Sequence, residues 1–147
     1  ALAAQGRGLS DNAAGRVNQR VILRLRVGAE QAHYGGGLVD GAFVLKLFGD
    51  AATELLIRLD GDEGLFRAYS AVEFLAPVHG GDYLEIEAEI TQVGKTSRQM
   101  RFEARRVIAA DGGGGSSARV LSPAQVVARA TGTCVVPAAR QAERKDQ

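Results

Sequence analysis

The chain has 147 residues, 46% of them hydrophobic and 24% charged, with a formal net charge of +1. That is one ordinary globular domain: too short for two sizeable cores, and without the strongly basic balance that nucleic-acid partners select. No apolar run approaches the roughly 18 residues that a membrane helix requires. Residues 1–15 also lack the apolar core of a signal peptide, so the expected location is cytoplasmic, away from membranes.

Cys134 is the single cysteine, and His33 and His79 are the two histidines. An intrachain disulfide is therefore impossible, a thiolate or imidazole metal cage cannot be assembled, and no metal is expected. Cys134 lies in the β-like run Ala130-Thr131-Gly132-Thr133-Cys134-Val135-Val136, where it reads as a small buried thiol rather than a nucleophile.

Residues 1–18 show no periodicity and read as a flexible lead-in to a single domain over 19–137. From Arg20 to Val27 the chain alternates, with Val21, Leu23, Leu25 and Val27 opposite Arg24 and Arg26, which predicts a strand buried on one side. The stretch Ala32-His33-Tyr34-Gly35-Gly36-Gly37 follows, then a helical segment from Asp40 to Arg58. Apolar residues lie on most sides of this helix, so burial around most of its circumference is expected. Asp50 and Glu54 share a face one turn apart, and carboxylates on an apolar helix are costly unless paired, exposed or used. The acidic run Asp60-Gly61-Asp62-Glu63-Gly64 reads as a solvated turn.

Strands are predicted near Phe66–Leu75, Asp82–Val93, Thr96–Ile108 and Gln125–Val136. Leu84, Ile86, Ala88 and Ile90 alternate with Glu85, Glu87 and Glu89, and Met100, Phe102 and Ala104 alternate with Arg101, Glu103 and Arg105. The link Val93-Gly94-Lys95-Thr96 makes these two strands a hairpin with glutamates facing arginines. Residues 110–119 hold a Gly/Ser-rich excursion that cannot pack and is expected to be flexible, and 138–147 form a polar tail. One long helix and about five mostly antiparallel strands specify an α+β domain, a curved sheet wrapped around the helix. Such a sheet leaves surface to cover, so a homodimer assembling into a higher oligomer is expected.

Pro77, Gly81-Asp82 and Val93-Gly94-Lys95-Thr96-Ser97 resemble the strand and turn signatures of hotdog-fold acyl-CoA thioesterases. More specific are His33-Tyr34-Gly35-Gly36, Leu38-Val39-Asp40-Gly41-Ala42, Leu47-Phe48-Gly49-Asp50, Ala52-Thr53-Glu54-Leu55-Leu56-Ile57-Arg58 and Val72-Glu73-Phe74-Leu75-Ala76-Pro77. Together these are similar to the 3-aminobutyryl-CoA ammonia-lyases of lysine fermentation and to β-alanyl-CoA ammonia-lyases, over residues 20–137. The resemblance implies a hotdog fold and the reversible loss of ammonia from a short 3-aminoacyl-CoA. It implies no separate cofactor, because coenzyme A is part of the substrate and ammonium is the other partner.

On that reading the thioester acidifies its α-carbon, and Glu54 is the first candidate for the base that takes the α-proton, as a buried carboxylate. Asp50 is the candidate counter-charge for the substrate ammonium, with the two roles open to exchange. Asp40 is either a third catalytic carboxylate or a helix cap. His33 and Tyr34 are candidate ligand contacts, and the amides of Gly35, Gly36 and Gly37 candidate donors to the thioester oxygen, although a glycine-rich turn alone is only a sharp connection. Lys95, Arg98 and Arg101 are candidates for the phosphates of coenzyme A, against the alternative of an ordinary charged hairpin. A thioesterase using the same acid to activate water, and a non-catalytic acyl-CoA-binding protein, are the competing readings.

Overall fold

A computed structural model describes residues 15–112 and 115–142. Among the described residues it contains strands β1 (Arg20–Arg26), β2 (Leu65–Phe74), β3 (Tyr83–Val93), β4 (Ser97–Ala110) and β5 (Ala118–Val135), and the long helix α1 (Gly41–Asp60). All five strands join in one antiparallel sheet of order β1-β3-β4-β5-β2, and α1 lies against its apolar face. The hairpin register sets Glu85 opposite Arg105 and Glu89 opposite Arg101. Arg105 reaches Glu87 at 3.1 Å and Glu103 at 2.9 Å, and Arg129 reaches Glu103 at 3.3 Å, so the outer face is a charge ladder.

The last strand begins at Ala118, well before the expected Gln125. Its first residues continue the β4 ladder, with Val120 opposite Ile108 and Ala118 opposite Ala110. Val120 is exposed there, so no buried alternation marks the segment. The glycine excursion shortens accordingly: Asp111 N–H donates to the Ser117 carbonyl at 3.1 Å, and Ser117 Oγ donates to Asp111 Oδ2 at 2.7 Å. Of that excursion, residues 113–114 lie outside the described residues, as do 1–14 and 143–147 at the ends.

The helix buries Val44, Leu47, Phe48, Ala51, Ala52, Leu55, Leu56 and Leu59. They meet Leu84, Ile86, Ala88 and Ile90 from β3 and Met100, Phe102 and Ala104 from β4 in one core. Phe48 stacks on Phe102 with ring centroids 5.2 Å apart. Burial is narrower than the composition of the helix predicts, because Ala42, Lys46, Asp50, Ile57 and Arg58 remain exposed. Steps of four from Ala42 through Lys46, Asp50 and the half-buried Glu54 to Arg58 put an open stripe along the helix surface.

Asp60 is not part of a solvated turn. It is the last residue of α1, fully buried, and Arg98 grips it with Nε to Oδ2 at 2.9 Å and Nη2 to Oδ1 at 3.0 Å. Arg16 adds a contact at 3.3 Å. Arg98 Nη1 also donates to the Gly94 and Ser97 carbonyls, both at 2.9 Å, tying the β3–β4 turn to the same point. Both ends of the domain converge here. Asn18 N–H donates to the Ile90 carbonyl at 2.8 Å, and Ala142 N–H donates to the Asp60 carbonyl at 2.8 Å. Arg16 and Asn18, in the segment expected to be flexible, are therefore tied to the fold, and so is Ala142 at the start of the polar tail.

Removing one member of a buried pair strands the other charge, which typically costs about 3–5 kcal/mol. Asp60→Ala is therefore expected to lower the urea midpoint by an amount corresponding to that loss, and the double variant Asp60→Leu with Arg98→Met to recover a large part of it. A midpoint unchanged by Asp60→Ala would contradict this account of the helix anchor.

Candidate functional site

After β1 the chain makes two short 3-10 turns, Ala29–Gln31 and Gly35–Gly37. Gly36 and Gly37 have φ of 74° and 76°, a left-handed backbone that only glycine adopts readily. The segment is fastened to residues 78–80: Gly80 N–H donates to the Gly37 carbonyl at 3.1 Å and Val39 N–H to the Val78 carbonyl at 2.8 Å. His33 and Tyr34 are exposed beside it. Asp82 locks this corner from inside. It is fully buried and accepts from His79 N–H at 2.8 Å, Ala110 N–H at 2.9 Å and Arg106 Nη1 at 3.3 Å. A cavity of about 640 Å³ opens between Gly36, Gly37, His79, Arg106 and Arg119.

Asp40 caps α1, its Oδ1 accepting from Phe43 N–H at 3.2 Å. That is the ordinary work of an aspartate before a helix and satisfies one of the unpaired amides there. Asp40 also borders an apolar cleft of about 430 Å³ with Val44, Phe74 and Val78.

Asp50 and Glu54 lie on the exposed stripe, their side chains 51% and 33% exposed in the single chain. Lys46 Nζ contacts Asp50 Oδ2 at 2.9 Å, and Arg58 Nε contacts Glu54 Oε2 at 2.8 Å, each one helical turn away. The expectation of a buried Glu54 is thus corrected: in one chain it is a partly exposed, ion-paired residue, because its position falls at the rim of the apolar face. A second opening, about 450 Å³, borders Lys46 and Gly49 on the helix and Phe66 and Tyr69 on edge strand β2. Tyr69 forms its wall, its hydroxyl donating to the Leu45 carbonyl at 3.4 Å. Burial, then the neighbouring Cys134, push the Tyr69 phenol up to about 12.

Three basic candidates separate. Arg98 is fully buried on Asp60, so it is withdrawn as a phosphate contact. Lys95 is exposed in the β3–β4 turn, next to the C-terminal end of α1. Arg101 stands on the outer sheet face, paired with Glu89. The glycine segment lies at the opposite end of α1, whose 20 residues span ~30 Å at 1.5 Å per residue. Glu54, thirteen residues on from Gly41, is on the order of 20 Å from that end. Gly35–Gly37 and Glu54 of one chain therefore lie at different points along the helix rather than side by side.

The sequence alone does not single out His79, Arg106 and Arg119, which line this cavity, or Asp82, which locks its corner. The signal for Asp82 was the Gly81-Asp82 turn, but its partners arrive from β4, 24 to 28 residues away. Among the described residues, no group of three or more His, Cys, Asp or Glu side chains is placed to hold a metal ion.

The Thioesterase superfamily model matches residues 36–108, which run from the glycine segment into β4. A 3-aminobutyryl-CoA ammonia lyase of Acetoanaerobium sticklandii is 60% identical over 121 residues, covering 82% of this chain and 96% of that protein. This chain belongs to the family of hotdog-fold 3-aminobutyryl-CoA and β-alanyl-CoA ammonia lyases. The structure of a β-alanyl-CoA:ammonia lyase from Clostridium propionicum superposes with a TM-score of 0.83 at 35% identity, covering 88% of this chain and 92% of that one. A hexameric hotdog-fold thioesterase of Campylobacter jejuni gives a TM-score of 0.63 at 20% identity, over 82% of this chain and 86% of that one. It shares the fold of the lyase family.

Cys134 is buried, as expected, and burial pushes its thiol up to about 12. Native protein at pH 8 is therefore expected to resist iodoacetamide, with labelling only on unfolding; mass spectrometry reads the adduct, and rapid native labelling would contradict the burial. Asp40→Ala should cost about 1 kcal/mol of stability through loss of the cap. Asp40→Asn, which can still cap, should keep both stability and turnover, whereas an inactive, fully folded Asp40→Asn would restore Asp40 as a catalytic group.

Proposed function

We infer that the protein reversibly eliminates ammonia from a short 3-aminoacyl-CoA to give the 2,3-enoyl-CoA. The observation that carries this reading is the 60% identity to a 3-aminobutyryl-CoA ammonia lyase across 96% of its length. The chain also sets two carboxylates one turn apart on the exposed stripe of α1, and the chemistry asks for such a pair.

Elimination removes a proton from the carbon next to the thioester carbonyl and breaks the C–N bond on the next carbon. Conjugation with the carbonyl lowers the first barrier, and a positioned carboxylate takes the proton. Glu54 is assigned that role, returning the proton in the reverse direction. Arg58 Nε holds Glu54 Oε2 at 2.8 Å and so orients the carboxylate. Asp50 uses Oδ2 on Lys46, and its second oxygen is assigned to the substrate ammonium. The enoyl product carries no such charge, so Asp50 discriminates between the two directions.

The open stripe needs a cover before these charges act at full strength, because water screens them. A second copy of the chain supplies it in this proposal. Edge strand β2 beside the stripe carries exposed Leu65 and Phe74, surface that association would bury. A homodimer is the smallest functional unit on this account, with further assembly open to it.

Glu54→Gln keeps the shape and removes the base, so turnover should fall about 100- to 10,000-fold with coenzyme A binding retained by calorimetry. Asp50→Asn should raise KM for the aminoacyl substrate more than for the enoyl substrate. Near-normal turnover by Glu54→Gln would remove Glu54 as the base.

A further inference from the structure

We propose that Gly49 determines specificity by leaving room beside Asp50 for an apolar substituent on the amine-bearing carbon of the substrate. The preferred substrates are then 3-aminoacyl-CoAs that carry a methyl or longer group on that carbon, ahead of β-alanyl-CoA, which carries none. This rests on the lyase reading and on the assignment of the substrate ammonium to Asp50.

Glycine is the poorest helix former after proline, yet α1 runs through Gly49 without a break. Gly41, Gly61, Gly64 and Gly132 have local reasons to be glycine. A Cβ on Gly41 would meet the Phe74 ring at 2.6 Å and one on Gly132 the Phe66 ring at 2.8 Å, while Gly61 and Gly64 have left-handed backbone. Gly49 has neither reason. Its φ is not left-handed, and a Cβ there would meet nothing within 4 Å beyond its chain neighbours and the helix backbone. Packing within the chain therefore does not require glycine at this position. What the missing side chain leaves is space, on the residue next to Asp50.

That space has a built wall. It belongs to the opening of about 450 Å³ that Ala42, Leu45 and Gly49 form with Phe66 and Tyr69 of β2. Phe66 and Tyr69 are three residues apart, a spacing that sends side chains to opposite faces of a regular strand. A register shift between Phe66 and Ala68 breaks the alternation, and the two ring centroids lie 4.3 Å apart. Gly132, opposite Tyr69, makes room for the Phe66 ring. The resulting surface is aromatic and aliphatic, which suits a hydrocarbon group. Exposed Lys46 and Arg67 border it and disfavour a second cation on the substrate.

Asp50 is tied to the same opening. Lys46 lines it and holds Asp50 Oδ2 at 2.9 Å, and the Cα atoms of Gly49 and Asp50 are about 3.8 Å apart as chain neighbours. On the substrate, the nitrogen and the substituent are bonded to one carbon. An ammonium at Asp50 thus directs the substituent to the surface that Gly49 leaves bare. One methylene more or less in an apolar pocket changes kcat/KM about 10- to 200-fold, so a side chain at position 49 should be read directly in substrate preference.

Steady-state kinetics with β-alanyl-CoA, 3-aminobutyryl-CoA and 3-aminohexanoyl-CoA on wild type, Gly49→Ala and Gly49→Leu test this, with thermal melting and light scattering on each protein. Wild type is expected to favour 3-aminobutyryl-CoA over β-alanyl-CoA about tenfold or more in kcat/KM. Gly49→Leu should lower that ratio about tenfold or more, with 3-aminohexanoyl-CoA losing most and Gly49→Ala falling between. Both variants should melt at or above the wild-type temperature, because alanine and leucine are better helix formers than glycine. A wild type that prefers β-alanyl-CoA, a ratio unmoved in the variants, or an equal loss on every substrate would overturn the proposal. So would dissociation of the oligomer in the variants, which assigns the space to a second copy of the chain. A wild type inactive on all three substrates would sink the lyase reading and the proposal with it, whereas an active wild type with an unmoved ratio sinks the role of Gly49 alone.

Discussion

The buried contact between Asp60 and Arg98 fixes the rest of this domain. A helix on a sheet can slide along its axis or rotate while keeping much of its apolar contact, and neither motion is blocked by nonpolar packing alone. A two-pronged ion pair blocks both, because a guanidinium and a carboxylate meet well in few geometries and separating them leaves two unsolvated charges. Arg98 also holds the carbonyls of the β3–β4 turn, and Asp60 takes Arg16 while its carbonyl receives Ala142. Helix end, hairpin and both described chain ends thus meet at one point.

With the C-terminal end of α1 pinned there, the N-terminal end falls beside the glycine segment and the Asp82 corner. Asp82 is the counterpart of Asp60 at the other end of the sheet, since it ties the approach to β3, the end of β4 and Arg106 together. The two buried aspartates bracket the helix, and its exposed stripe runs between them. One chain leaves Asp50 and Glu54 open because the helix buries its other side in the sheet and, among the described residues, nothing returns across the stripe.

Much of this was legible in the residues. The alternation of Leu84, Ile86, Ala88 and Ile90 against glutamates required a half-buried strand, and the Glu/Arg complementarity across Gly94 set the hairpin. Glu54 and Arg58 stand one turn apart, a spacing that permits the observed pair. Asp60 and Arg98 were not legible, because each sits in a locally polar context, Asp60 before Gly61-Asp62-Glu63 and Arg98 beside a turn. Their burial follows only from meeting across 38 residues of chain. Arg106 and Arg119 were missed for the same reason, since only the β4–β5 ladder brings them to the glycines. The assignment of ammonia-lyase chemistry rested on resemblance: the pattern Asp50 and Glu54 by itself serves a solvated helix equally well.

The chemistry separates cleanly from hydrolysis in one measurement on the wild-type protein. Crotonyl-CoA or acryloyl-CoA is mixed with ammonium, and the amine adduct and free coenzyme A are followed separately by mass spectrometry. The account predicts a 3-aminoacyl-CoA that accumulates to equilibrium with its thioester intact. Rapid release of free coenzyme A, with no amine adduct at high ammonium, would contradict it.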